Sequence, residues 1–137
     1  MLGANSIKVG DSFSTTRNIT DELIRQFADV SGDYNPIHLD DEFAATTQFG
    51  RRIAHGALSG AFISAVVGHE FAERKIIYLS QTLKFIAPAF LGDTITATAT
   101  VSKIREERGI VFLDTVCTNQ HGATTVRGEA AVMILKA

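Results

Sequence analysis

The feature that most constrains this chain is a change of period along its length. In the first half, apolar residues recur at helical spacing; from Lys75 onward they recur at every second position. Asp93 to Ile104 shows the second pattern most cleanly, with Ile95, Ala97, Ala99 and Val101 alternating against Thr94, Thr96, Thr98 and Thr100. Such alternation predicts a strand with one buried and one solvated face. Ile76 to Ala87 reads as another long strand, stopped by Pro88. Ile110 to Thr118 and Ala123 to Leu135 follow, joined by turns at Glu106-Glu107-Arg108-Gly109 and Gln120-His121-Gly122. An earlier strand is expected over Ser12 to Asn18.

The helical part begins at Thr20, a candidate N-cap followed by Asp21 and Glu22 at the positive end of the helix dipole. Leu23, Ile24, Phe27, Ala28 and Val30 supply the apolar face, and Gly32 suits the left-handed closing residue. Asp33-Tyr34-Asn35-Pro36-Ile37-His38 reads as a loop, because Pro36 biases Asn35 away from helix. Asp40 or Asp41 could cap a short helix running through Ala45. A third helix is expected from Ala57 to about Glu70. It is apolar nearly all round and therefore buried, with Ser59, Gly60 and Ser64 leaving one side small. Helices followed by an antiparallel meander predict an α+β domain over 1–137, its sheet wrapped around the buried helix.

Composition excludes several classes. Thirteen basic against fifteen acidic residues leave a net charge of −2, which argues against a dedicated nucleic-acid binder. The lone Cys117 forbids a disulfide within the chain, and no Cys/His spacing suits structural zinc. Met1 to Gly10 shows no basic region followed by an apolar core, so no signal peptide is expected. The stretch from Gly56 to Gly68 is too short to span a membrane. A soluble, cytoplasmic protein is expected.

Two clusters could carry chemistry. Asp33, Asn35 and His38 share one Pro-fixed loop, and a carboxylate with an imidazole can act as an acid–base pair near neutral pH. Fully extended, the five steps from Asp33 to His38 would separate them by roughly 16 Å, so the loop must turn for both to reach one water. The bland alternative is an Asx-type turn beside an incidental surface histidine. The second cluster is His55-Gly56, where the first amides of a helix could stabilise negative charge developing on a ligand oxygen. Its bland alternative is a plain glycine before a helix. Cys117 reads as a small core or sheet residue, and the serines lack a nucleophile elbow. Arg51-Arg52 and Arg74-Lys75 could meet phosphates, but such pairs usually read as solvated surface.

Taken together, Phe27-Ala28-x-x-Ser31-Gly32-Asp33-x-Asn35-Pro36-x-His38-x-Asp40 resembles the hydratase signature of the MaoC-like dehydratases. Ile53-Ala54-His55-Gly56 with its apolar helix, and Gly92-Asp93 opening a strand after Pro88, match as well. The single-domain length is most similar to the (R)-specific enoyl-CoA hydratases. The resemblance implies a hot-dog fold, an antiparallel β-sheet wrapped around a long central α-helix. It implies a homodimer with acyl-CoA sites near the subunit interface, a possible acyl carrier protein partner, and no metal or redox cofactor, CoA being part of the substrate. It further implies that Asp33 and His38 hold the catalytic water, Asn35 shapes the loop, the Gly56 amide binds the thioester oxygen and Ser64 supports the site. Val67 and Val132 are carried over as acyl-pocket lining. The implied reaction is reversible hydration of trans-2-enoyl-CoA to (R)-3-hydroxyacyl-CoA, in which Asp33 takes a proton from water and His38 orients that water and protonates C2. A hot-dog thioesterase, a non-catalytic acyl-thioester binding module and a carrier-protein dehydratase are the competing readings.

Overall fold

A computed structural model describes residues 7–71 and 75–135. The elements run β1 (Ser12–Asn18), α1 (Asp21–Ser31), α2 (Pro36–Leu39), α3 (Asp41–Ala45), α4 (Gly56–Glu70), β2 (Ile76–Gln81), β3 (Lys84–Phe85), β4 (Thr94–Arg105), β5 (Ile110–Thr118) and β6 (Thr124–Ile134). One antiparallel sheet has the order β1-β4-β5-β6-β2, with β3 also paired to β6. Helix α4 packs on β1, β4 and β5, so the sheet curves around it as the resemblance implies. Ile95, Ala97, Ala99 and Val101 are all at most 1% exposed and line the inner face of β4. The two alanines let α4 come close to that strand. Burying each larger neighbour, such as Phe62, Ile63 or Val66 on the helix, contributes about 1.5–3 kcal/mol.

The expected strands at Ser12–Asn18 and Ile110–Thr118 form with those bounds. α1 begins as expected: the Thr20 hydroxyl accepts the Leu23 N–H at 3.1 Å. It closes at Gly32, whose φ is 81° and whose N–H donates to Ala28 O. Val30 departs from the apolar face and points to solvent at 82% exposure.

Three expectations need correction. The strand expected over residues 76–87 breaks after Gln81 and ends at Phe85. The register is the same on both sides, Gln81 facing Ala130 and Lys84 facing Arg127. Between them the Thr82 hydroxyl accepts the Glu129 N–H, while the Thr82 carbonyl lies where a β-carbon of Gly128 would be. Second, residues 36–39 are a helical turn and not loop. Pro36 fits the first position because that N–H has no helical acceptor in any case. Third, α4 is buried on one side only. Leu58, Ser59, Phe62, Ile63, Val66 and Val67 face the core, while Ala57, Ala61, Ser64 and Ala65 are exposed. Among the described residues, no helix is long and apolar enough to cross a membrane.

Candidate active site

The segment between α1 and α4 is folded by short side chains that satisfy neighbouring backbone amides. Ser31 Oγ accepts the Asp33 N–H and donates to Phe27 O. Asp33 Oδ1 accepts the Asn35 N–H at 3.1 Å, and Asn35 Oδ1 accepts the Ile37 N–H, capping α2. Asp40 then caps α3 through the amides of Glu42 and Phe43. Each of these bonds contributes on the order of 1 kcal/mol. Together they make the reversal that the sequence requires: Asp33 Oδ2 lies 4.0 Å from His38 Nε2.

The two members of this pair differ in environment. The Asp33 carboxyl is 52% exposed, whereas the His38 side chain is only 11% exposed. His38 Nδ1 lies 2.8 Å from Ile53 O, an atom that can only accept, so Nδ1 carries the proton. Nε2 of the neutral ring is then bare and faces Asp33. Burial pushes the His38 imidazole below its ordinary range, and His55 adds to the effect; the Ile53 carbonyl and Asp33 oppose it.

Arg52, expected at the surface, is instead 4% exposed. Its Nε donates to His38 O at 2.7 Å and one terminal nitrogen donates to Asp21 Oδ1 at 2.6 Å. The guanidinium thus ties the first turn of α1 to the end of α2. The hydrogen bonds from Arg52 and then Arg25 hold the Asp21 carboxyl below its usual range. Arg51 is exposed, with its guanidinium 3.9 Å from the Phe90 ring centre. Arg74 lies outside the described residues.

α4 starts without a side-chain cap. Gly56 is its first residue, so its amide has no intrahelical acceptor. A β-carbon there would come within 2.7 Å of the Phe85 ring, so glycine is what allows the ring to lie over the helix start. Gly56, His55, Phe49, Phe85 and Thr125 border a cavity of about 540 Å³. Asp33 and His38 are not in its lining; His55 joins the two regions. It lines the cavity, donates Nε2–H to Asp33 O at 2.9 Å and stacks on His38 with ring centres 3.9 Å apart.

The remaining residues brought forward from the sequence lie elsewhere. Ser64 is on the exposed face of α4, about 12 Å along the axis from Gly56 and outside the cavity lining. Val67 and Val132 are 1% and 0% exposed within the core, also outside that lining. Cys117 is buried, and burial pushes its thiol up to about 11, consistent with a structural role. Ligand atoms of Asp33, His38 and His55 fall within 4.8 Å of one another. The two rings are only 27° from parallel, so their in-plane lone pairs do not converge on one ion.

Residues 4–123 match the family described as the MaoC like domain. The chain belongs to this family. It is 45% identical over 128 residues to an (R)-specific enoyl-CoA hydratase from Rhodospirillum rubrum, covering 93% of this chain and 88% of the relative. Its structure superposes on an (R)-hydratase from Aeromonas caviae involved in PHA biosynthesis with a TM-score of 0.91 at 39% identity, covering 96% of this chain and 100% of that one. An unliganded R-hydratase from Pseudomonas aeruginosa gives 0.90 at 42% identity, over 96% and 84% of the two chains. The fold is therefore the hot-dog fold of these hydratases.

Proposed function

We infer that this MaoC-like protein is an (R)-specific enoyl-CoA hydratase, adding water reversibly across the 2,3 double bond of a trans-2-enoyl thioester. The observation that carries this reading is the 4.0 Å approach of Asp33 Oδ2 to His38 Nε2, joined through His55 to the uncapped start of α4. The separation is too long for a direct hydrogen bond. It suits one water giving a hydrogen to each acceptor. Two acceptors around one water leave its oxygen lone pairs free to attack C3.

As the C3–O bond forms, charge moves onto the thioester oxygen. The Gly56 N–H is suited to receive it, because a fixed amide dipole at a helix start favours the enolate-like state over the neutral ground state. Asp33 takes a proton from the water, its hydroxyl goes to C3, and C2 must receive a proton. With Nδ1 held by Ile53 O, neutral His38 has no proton at Nε2 to give. The proton delivered to C2 is therefore the one that the Asp33–His38 pair removed from the water. This reading returns the proton through the Asp33–His38 pair, whereas the resemblance implied His38 as the donor. Asn35 supports the site as the cap of α2.

A homodimer belongs to the same reading. β2 ends the sheet and has no outer partner among the described residues. Ile77, Leu79, Phe85 and Ile86 are between 46% and 58% exposed. The small outer face of α4 offers a second copy a close backbone approach. Ser64 lies on this face, so any support it gives is at the subunit contact. Val67 and Val132 would meet an acyl chain only where it entered between α4 and the sheet.

Incubation with C4 to C12 trans-2-enoyl-CoA tests the function. Loss of enoyl absorbance, formation of the (R)-3-hydroxyacyl product and no release of CoA thiol are expected. Thiol release without hydration would make the protein a thioesterase; binding without either reaction would make it a non-catalytic module. Replacing CoA by a carrier protein in the same assay separates the hydratase from a carrier-protein dehydratase.

A further inference from the structure

Outside the Asp33–His38 pair, one titratable group is buried, partly unpaired and in contact with the site. His55 is 3% exposed, and its Nδ1 is buried with no hydrogen-bond partner among the described residues. A proton on Nδ1 would have no acceptor, so the ring's one proton is on Nε2, where it meets Asp33 O at 2.9 Å. The same ring stacks on His38 at 3.9 Å and packs against Phe27 at 4.9 Å. Its backbone is the N-cap of α4, one residue before Gly56.

We propose that His55 is a positioning residue for the hydration step: it fixes the Asp33 backbone and the His38 ring relative to the Gly56 amide, and it keeps His38 in the neutral form with Nε2 bare. Two effects act together. The Nε2–H bond to Asp33 O holds the reversal from which the Asp33 carboxylate projects. The stacked imidazole removes water from one face of His38 and opposes a positive charge there, since neither ring face can be solvated in the stack. The groups facing His38 are Asp33 from the loop, His55 and the Ile53 carbonyl from the approach to α4, and Arg52 at its own carbonyl. Arg52 is itself neutralised by Asp21, with Asp41 3.9 Å away. Among the described residues His55 is the ring stacked on His38, so it acts together with burial against a charge there, while the Ile53 carbonyl and Asp33 oppose it.

The inference rests on the hydratase reading, but its first test needs no substrate. NMR titration of the imidazole nitrogens in the free protein reads His38 directly, assigned by the signals lost in His38→Ala. His55→Phe keeps an aromatic face but loses the donor and the second imidazole; His55→Gln keeps a donor but loses the stack. In the wild type, His38 should titrate below about 6.5, the ordinary value. In His55→Gln, which uncovers the ring face, the His38 midpoint should rise by about half a pH unit or more, whereas His55→Phe should keep it low. The acid limb of kcat/KM for crotonyl-CoA should move up with it in His55→Gln, and in both variants kcat should fall about tenfold or more while KM changes little. An unmoved His38 midpoint in a folded His55→Gln protein overturns the proposal, whatever the assay shows, and so does an unchanged kcat in a folded His55→Phe protein. Loss of the fold in both variants overturns it too, by assigning His55 to the core alone. A shifted midpoint in a protein that never hydrates any enoyl thioester would instead sink the functional reading and leave the coupling of the two rings standing.

Discussion

Between Ser31 and Gly56 the chain is held by side chains that reach for backbone groups, whereas β4, β5 and β6 are held by backbone ladders over an apolar face. In the first region Ser31, Asp33, Asn35, Asp40, Arg52 and His55 each bond a main-chain atom of another residue. In the second, Ile95, Val101, Val111, Leu113 and Val132 are at most 1% exposed, and apart from the buried Thr115 and Thr125 the polar side chains lie outside the core. The difference separates two kinds of loss. A polar residue in the first region places a reacting group, so its removal should change turnover more than melting. A residue in the second region supports the wall, so its change should do the reverse.

His38→Ala gives the largest test of that contrast. Turnover should fall by about 10²–10⁴, as for other acid–base residues, with little change in Tm. Comparable losses of activity and stability would mean that the polar segment is mainly scaffold. The sheet supplies the opposite case in Gly128→Ala. A methyl group there meets the Thr82 carbonyl, a backbone atom that cannot swing aside, so unfolding by denaturant should show a loss of about 3 kcal/mol. Residual folded enzyme should keep its KM.

Smaller effects lie where the regions meet. Arg52→Met removes the donor to His38 O and the partner of a half-exposed Asp21. A stability loss of about 1–3 kcal/mol is expected together with a lower kcat, since both regions are touched. Gly56→Ala keeps the amide but pushes against the Phe85 ring, which is 58% exposed and can move. A few-fold rise in KM with little change in Tm is expected, read by steady-state kinetics.

The smallest effect is pH dependence. His38 binds its proton less readily folded than unfolded, so the unfolded state takes up more protons as pH falls below about 6.5. Stability from this group is therefore complete above that value and declines as pH falls through the folded-state value. Asp21 acts lower, near and below about 3.8, because its folded carboxyl holds its proton less readily; that contribution is lost as pH falls through its depressed value. Denaturant midpoints measured from pH 8 to pH 3 should decline in these two windows, and a flat profile would remove both assignments.

What the sequence disclosed divides along the same line. β1, β5 and α1 were legible because their signals are local: alternation, a Thr20 cap and a Gly32 stop. The Asp33–His38 pair was legible because Asn35-Pro36 forces a turn within five residues. The break after Gln81 was not, since its cause is Gly128, far along the chain and on another strand. The helical turn at Pro36–Leu39 was missed because proline marks both a loop and the first position of a helix. Burial of Arg52 depends on Asp21 and on the His38 carbonyl, neither adjacent in sequence. The His38–His55 stack likewise joins residues seventeen positions apart, and no period links them. One-sided burial of α4 escaped notice because an all-apolar helix does not reveal which face its own chain covers.

The central claim is that Asp33 and His38 share one water that adds to an enoyl thioester. Asp33→Asn tests it most directly, because the amide oxygen can still accept the Asn35 N–H while the base is gone. Crotonyl-CoA hydration should fall by about 10²–10⁴ at unchanged Tm. Turnover within a few-fold of wild type, in a variant that melts normally, would contradict the account.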